Sequence, residues 1–305
     1  MQKAMIVDAS NHDRRCKLCS DYEMKYPPVL DKKVIITGCS SGIGAATARV
    51  LRDHGWLVIP TARKAEDLEA LKKEGFTPVD LDIAHAESVH RAADQALELL
   101  DGTVGGLVNN AGFGQVGAVE DVSRDALRYQ FEVNVFGMHE LTCRLIPRMR
   151  SQGWGRIVNI SSVYGLVTGP LVGSYCASKY AMESLSDALR MELREAGIGV
   201  SLVEPGPIVS EFGRNALKNA ESSLDVGRSR FDEWYTRTIL RQAKHKTKPF
   251  TGPPEAVACK IRHALEAPSP KIRYPVTLPA YAGAFARRFL PAWILDRILA
   301  GRIPL

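Results

Sequence analysis

A chain of 305 residues with 45% apolar and 24% charged side chains can bury a sizeable core. It has the balance of an ordinary soluble globular protein, with room for one large α/β domain or two small ones. Its net charge of +6 favours anionic ligands, but the basic residues are scattered and no zinc-finger spacing occurs, so nucleic acid is excluded as the expected partner.

Residues 1–30 are polar, lack apolar periodicity and end in Pro27-Pro28, which predicts a flexible arm. Met24 stands just before the first strand and is an alternative start. No apolar leader opens the chain, so a reducing cytoplasm is expected, where the six cysteines stay thiols. Cys16 and Cys19 have the spacing of half a zinc site or a redox pair. No second pair completes it, and no metal is expected.

From Lys33 to Tyr274, short apolar runs alternate with longer amphipathic stretches, the pattern of a parallel sheet with crossover helices. Strands are predicted at Val34–Ile36, Leu57–Pro60, Thr77–Leu81, Gly106–Val108, Arg156–Ile160, Val200–Val203 and Ile272–Tyr274. Helices are predicted near 43–54, 65–73, 86–100, 124–150, 175–196 and 254–266. Within 124–150, Leu127, Phe131, Val135, Met138, Leu141, Leu145 and Met149 recur every three or four residues and predict one buried face. Seven strands with helices between them make a doubly wound sheet.

Strand one runs straight into Thr37-Gly38-Cys39-Ser40-Ser41-Gly42-Ile43-Gly44 and then a helix. Glycines that admit close backbone approach, followed by a helix N-terminus, suit a pyrophosphate. A tight turn needing small residues is the plainer alternative. At the end of strand two, Thr61-Ala62-Arg63-Lys64 offers no carboxylate for a ribose 2′-hydroxyl but a guanidinium suited to a 2′-phosphate, which favours NADP(H) over NAD(H). Tyr175 and Lys179 lie four apart at the start of a helical stretch and leave one face of it. A cation beside a phenol favours the phenolate and moves its pKa toward the working range. Ser161-Ser162 end a buried strand, where doubly wound sheets bind ligands. Asn134 sits among apolar neighbours, as a relay group or as a satisfied core amide.

These motifs together resemble the short-chain dehydrogenase/reductase family, closely over 33 to about 210. Thr37-Gly38-x3-Gly42-x-Gly44 is similar to its cofactor turn, and Asn109-Asn110-Ala111-Gly112 to its fourth-strand motif. Leu81-Asp82-Ile83 resembles the segment that meets adenine, and Pro205-Gly206-Pro207-Ile208 the loop that holds nicotinamide. Ser210 stands where the family usually has Thr. The resemblance implies a Rossmann-type, seven-stranded α/β fold, NADP(H) as cofactor, and catalysis by Asn134, Ser162, Tyr175 and Lys179. Cofactor contacts are implied for Gly38, Ser40, Ser41, Gly42, Ile43, Gly44, Arg63, Asp82, Ile83, Asn109, Ala111, Gly112, Tyr175, Lys179, Pro205, Gly206, Ile208 and Ser210. It implies proton donation by Tyr175, help from Ser162 at the same oxygen, ribose contacts and pKa lowering by Lys179, and a relay water ordered by Asn134. It also implies dimers or tetramers paired through the 124–150 and 175–196 helices.

A single domain is expected over 31–277, with 211–252 as a substrate-lid insertion. The lid carries nine Lys/Arg beside Phe231, Trp234 and Tyr235, either as a mobile flap or as an ordinary helix with aromatics in the core. Residues 278–305 interleave Leu278, Tyr281, Phe285, Phe289, Trp293, Ile294, Ile298 and Leu299 with Arg287, Arg288, Arg297 and Arg302. No apolar run there approaches the ~18 residues of a membrane span. This amphipathic tail could lie on a membrane surface, dock on its own domain or cover a partner subunit. Its layout resembles the hydroxysteroid- and retinol-dehydrogenase-like branch, which implies a small hydrophobic carbonyl or alcohol as substrate. A ketoacyl- or sugar-type reductase and a non-catalytic cofactor-binding protein are the alternatives.

Overall fold

The computed structural model describes residues 25–236 and 250–300. Seven parallel strands form one sheet: β1 (Lys33–Ile36), β2 (Leu57–Ala62), β3 (Val79–Asp80), β4 (Gly106–Asn109), β5 (Gly155–Ile160), β6 (Ile198–Pro205) and β7 (Arg273–Val276), in the order β3-β2-β1-β4-β5-β6-β7. Every residue of β4, β5 and β6 is buried, as expected of strands covered on both faces.

Helices fill both faces. α1 (Gly42–Asp53) and α8 (Pro254–Glu266) pack on one side, over Val34, Ile36, Val58, Val108, Val158 and Val203. α3 (Ala86–Leu99) and α5 (Gly137–Gln152) cover the other, over Ile35, Ile59, Leu107, Ile157 and Val200. The alternation of Val34, Ile35 and Ile36 between the two cores is the period-2 geometry of a strand. α2 (Ala65–Lys73) closes the β2 crossover and α6 (Gly173–Glu192) the one between β5 and β6. α7 (Phe212–Ser223) follows β6, and α9 (Leu278–Phe289) and α10 (Ala292–Ala300) follow β7.

The expected 124–150 helix forms, with a π-helical turn inside it: α4 (Arg124–Phe131) is capped by Ser123, whose side chain accepts from the Ala126 N–H, and runs through a π turn at Glu132–Phe136 straight into α5. Gly137 packs so closely on the Ile83 carbonyl that a Cβ would lie 1.8 Å from its oxygen, which fixes where α5 starts. The buried stripe therefore starts late, and Leu127 is 40% exposed.

The described residues at the end of the expected arm are packed onto the domain. Tyr26 is buried, its N–H donates to the Pro268 carbonyl, and its ring lies over the Arg156 guanidinium. Arg156 reaches back to the Pro27 carbonyl at 2.8 Å. Among the described residues no carboxylate pairs with this fully buried arginine, so backbone oxygens and the Tyr26 ring carry its charge. Cys16, Cys19 and Met24 lie outside the described residues, as do 237–249 of the lid. Among the described residues Cys39, Cys143, Cys176 and Cys259 are free thiols, no metal-binding cluster forms, and no helix is long and apolar enough to cross a membrane.

Candidate active site

β1 and β4 are neighbours in the sheet although β2 and β3 separate them in sequence. The loops that leave their carboxyl ends diverge where the winding reverses, the crevice in which such sheets hold ligands. Thr37 Oγ1 accepts bonds of 2.9 Å from the N–H groups of both Asn110 and Ala111. The Asn110 amide donates back to the carbonyls of Thr37 and Gly38, also at 2.9 Å. The two loops are thus clasped together.

The glycines answer to this clasp. A Cβ on Gly38 (φ +72°) would lie 2.9 Å from Ala111 Cα, and one on Gly44 would lie 2.2 Å from the Gly38 carbonyl oxygen. Gly42 (φ +57°) differs, because a Cβ there would meet only Ser210 at 3.3 Å. It opens α1, whose N-cap Ser41 makes no side-chain cap bond. An uncapped helix start behind a bare glycine turn, with Ser40 and Ser41 exposed and Ile43 packed into the core beneath, fits an anionic pyrophosphate.

Arg63 stands at the end of β2, 57% exposed at its side chain, with Nη1 3.4 Å from the Tyr129 hydroxyl and 3.9 Å from an Asp82 oxygen. Asp82 is itself held by the Ala84 N–H. The expected adenosine end therefore combines a free-reaching guanidinium with a fixed carboxylate. Ala111 and Gly112 run between Gly38 and Asn134, and Pro205, Gly206 and Ile208 leave β6 beside Thr277 and Gly252.

Two expected contacts are placed elsewhere. The Asn109 side chain points into the sheet, donating to Thr142 and Asn159, and the Ile83 side chain is buried in the core below α5. Any part they take in the crevice is limited to their backbone.

Asn134, Ser162, Tyr175 and Lys179 are all buried. The π turn aims Asn134 at the loop after β4. There its amide accepts from the Phe113 N–H and donates to the Phe113 carbonyl and to Ser178 Oγ, which donates to the Tyr175 carbonyl. Every polar atom of that amide is used in joining the β4 loop to α6. Ser162 ends β5, accepts from the Tyr164 N–H and faces the Tyr175 phenol. Lys179 donates to the Ile160 carbonyl at 2.7 Å, with its Nζ 5.9 Å from the centre of the Tyr175 ring.

Electrostatically, burial dominates the pair. It pushes the Tyr175 phenol above its ordinary range, opposed by the hydroxyl of Ser162, while the neighbouring Cys176 and Tyr164 add to the rise. Burial pulls Lys179 down to about 8, opposed by Glu183. The lowering of Tyr175 expected from the lysine alone is thus outweighed by desolvation in an apolar setting.

Some neighbours gave no sequence signal. Phe212, first residue of α7, lies with its ring 5.5 Å from that of Tyr175, and Tyr164 meets it edge-on at 6.3 Å. The described part of the 211–252 segment is tied down by Tyr235, whose hydroxyl accepts from the Ala118 N–H and donates to Asp121, and by Ser229 on the same carboxylate. Phe231 and Trp234 pack with Ala220, Leu224 and Tyr235 in a small cluster of their own, apart from the main core.

A family model described as short chain dehydrogenase matches residues 32–221. The chain is 45% identical over 273 residues to the uncharacterized oxidoreductase YbbO of Escherichia coli, covering 90% of this chain and 96% of that protein. It is 32% identical over 280 residues to retinol dehydrogenase 16 of Mus musculus, covering 88% of each. A short chain dehydrogenase of Burkholderia cenocepacia solved in complex with NADP superposes with a TM-score of 0.70 at 25% identity, covering 91% of this chain and all of that one. One of Burkholderia phymatum in complex with NAD gives 0.70 at 26%, covering 93% and 98%. A phosphate-suited glycine turn clasped to the β4 loop, with a buried Tyr-Lys pair beside Ser162, and these likenesses over most of the chain, make this protein a member of the short-chain dehydrogenase/reductase family, NAD(P)-dependent oxidoreductases that act on hydroxyl and carbonyl groups.

Proposed function

We propose that this protein is an NADP(H)-dependent oxidoreductase that interconverts a carbonyl and an alcohol on a small hydrophobic substrate, of steroid, retinoid or long-chain aldehyde type. The observation that carries the reading is the convergence of Ser162, Tyr175 and Lys179 at the carboxyl end of β5, two strands across from β1 and its glycine turn. NADP(H), when bound, supplies or receives the hydride at the carbonyl carbon. Tyr175 gives its phenolic proton to the developing alkoxide, and burial suits it to that role because it keeps the phenol protonated. Ser162 hydrogen-bonds the same oxygen. Lys179 holds the ribose hydroxyls and stabilises the phenolate left after proton transfer. The relay water that the resemblance assigns to Asn134 would share its amide with Phe113 and Ser178, to which that amide is already bonded. Phe212 and Tyr164 around Tyr175 support an apolar substrate.

A panel of ketosteroids, retinal, long-chain aldehydes, ketoacyl esters and sugars, each with NADPH and NADH, tests the reading. Turnover is expected on the apolar carbonyls and with NADPH. Preference for ketoacyl esters or sugars, or for NADH, overturns the corresponding half.

We also place the protein in the cytoplasm as one domain over 31–277. Its oligomer is a homodimer or homotetramer paired through the helices that expose Leu127, Tyr129, Phe136, Leu185 and Met191. The tail is assigned to an anionic membrane surface. Tyr281, Phe285, Phe289, Trp293 and Ile298 are each more than half exposed, and Arg287, Arg288 and Arg297 among them form no ion pair with described residues. The far end of α10, at Leu299 and Ala300, faces Val119 and Thr168–Gly173 across a cavity of about 350 Å³. An apolar substrate held in a bilayer would then lie close to the catalytic loop. Full-length protein is expected to co-sediment with phosphatidylglycerol vesicles, and both the 1–277 form and Arg287→Glu/Arg288→Glu to stay in the supernatant. Equal behaviour of all three removes the membrane assignment, and loss of dimers in the short form alone reassigns the tail to a second copy.

A further inference from the structure

α6 carries Tyr175, Lys179, Glu183 and Asp187 at successive spacings of four, a single stripe that leads from the reacting group to the far edge of the sheet. The lower half of the stripe meets Arg273 of β7. Arg273 Nη2 lies 3.0 Å from Glu183 and 2.7 Å from Asp187, while its Nε lies 3.1 Å from Glu204 of β6. Three carboxylates thus converge on one guanidinium, with Arg190 sharing only Asp187. Glu204 and Glu183 are buried, 1% and 8% exposed at their side chains.

With Lys179, Arg273 and Arg190 positive the cluster is neutral when all three acids are ionised, but Arg190 serves Asp187 alone, at the more exposed end. Glu204 is the acid whose surroundings hold it toward its neutral form. Its Oε1 has no aligned hydrogen bond despite the nearby guanidinium, and burial with two neighbouring carboxylates pushes it up to about 8. Glu183 follows Lys179 by one helical turn and pairs with Arg273, which together with Ser161 opposes the rise that burial gives its carboxyl. The Ser161 hydroxyl faces it, and Ser161 joins Ile160, whose carbonyl receives Lys179, to Ser162. Tyr175 lies beside Lys179 on its own helix, with Tyr164 and Cys176 next to Tyr175, and burial raises all three, so none adds an anion at neutral pH.

We propose that Glu183 is a positioning residue for the reaction: clamped by Arg273 one helical turn beyond Lys179, its carboxylate keeps the buried ammonium charged and aimed toward Tyr175. The proposal rests on the proposed role of Lys179. Burial alone favours a neutral amine at that position, and Glu183 is the anion that opposes it. A neutral amine could neither lower the cost of the Tyr175 phenolate nor hold its place against the Ile160 carbonyl as strongly.

The test is the pH profile of kcat/KM for carbonyl reduction. Lys179 loses its proton as pH rises, so the profile should fall on its alkaline side near pH 8 in the native enzyme. Removing the carboxylate charge makes the ammonium easier to deprotonate. Glu183→Gln is therefore expected to move the alkaline limb to lower pH by about one unit, and Glu183→Asp to restore it. Glu183→Met serves where the Gln variant does not fold. An alkaline limb that stays in place in folded Gln or Met protein overturns the proposal, as does a native profile that already falls away below about pH 7. Tyr175→Phe and Lys179→Met are assayed alongside. Activity in those two defeats the catalytic reading itself, whereas their inactivity with an unmoved Glu183→Gln profile defeats the role of Glu183 alone.

Discussion

Tyr175→Phe is expected to lower kcat by about 10²–10⁴-fold, the usual contribution of a positioned proton donor, while NADPH affinity stays within about threefold of the native value. The substitution removes one oxygen. The ring keeps its places against Phe212 and Tyr164, and Ser178 still donates to the backbone carbonyl of residue 175, so the pocket's shape is retained. Only the phenol's interaction with Ser162 disappears, and the Ser162 hydroxyl then faces the substrate oxygen alone. Steady-state turnover together with a fluorescence titration of NADPH separates the two quantities. Retention of more than a few per cent of native activity would remove Tyr175 from the proton step, and a large loss of NADPH binding would show that the phenol acts through the cofactor site instead.

The second large effect is expected at Arg63. Replacement by Asp should lower the ratio of kcat/KM with NADPH to that with NADH by about 100-fold, since a charge-assisted hydrogen bond is worth roughly 1.5–3 kcal/mol and the new carboxylate also repels the 2′-phosphate. Arg63 is well exposed and makes only a 3.4 Å contact with Tyr129 and a 3.9 Å approach to Asp82, so the fold does not depend on it. The new carboxylate could accept from the 2′-hydroxyl of NADH, which adds to the change in ratio. A ratio unchanged within a factor of about three would mean that the phosphate is read elsewhere or not at all.

Much of this architecture was legible in the sequence because parallel strands buried on both faces show as short apolar runs. Val34–Ile36 and Arg156–Ile160 fall within two residues of the strands that form. The Tyr175 and Lys179 pair was legible for a different reason: a four-residue spacing on a helix becomes a shared face, whatever surrounds it. The π turn inside the 124–150 helix was not legible, because it sits where Asn134 is held by Phe113 and Ser178 and where Gly137 presses on Ile83, contacts between residues far apart in sequence. Asn109 and Ile83 show the converse limit. Their motif placed them near the cofactor, but side-chain direction depends on the strand's pleat and the helix above it. Glu183, Arg273 and Glu204 look like ordinary surface charges in sequence, and only the pairing of β6 with β7 brings them under α6.

The clasp between Thr37 and Asn110 has a kinetic consequence. Four hydrogen bonds that close the phosphate turn onto the β4 loop are formed when the chain folds, so a dinucleotide arriving there meets a rigid seat and orders almost nothing on landing. The segment after Ser210 is anchored by Tyr235 and Ser229 on Asp121. Cofactor capture should therefore proceed as a single rapid phase close to the collision rate, and a slow step in turnover is expected on the substrate side of the site.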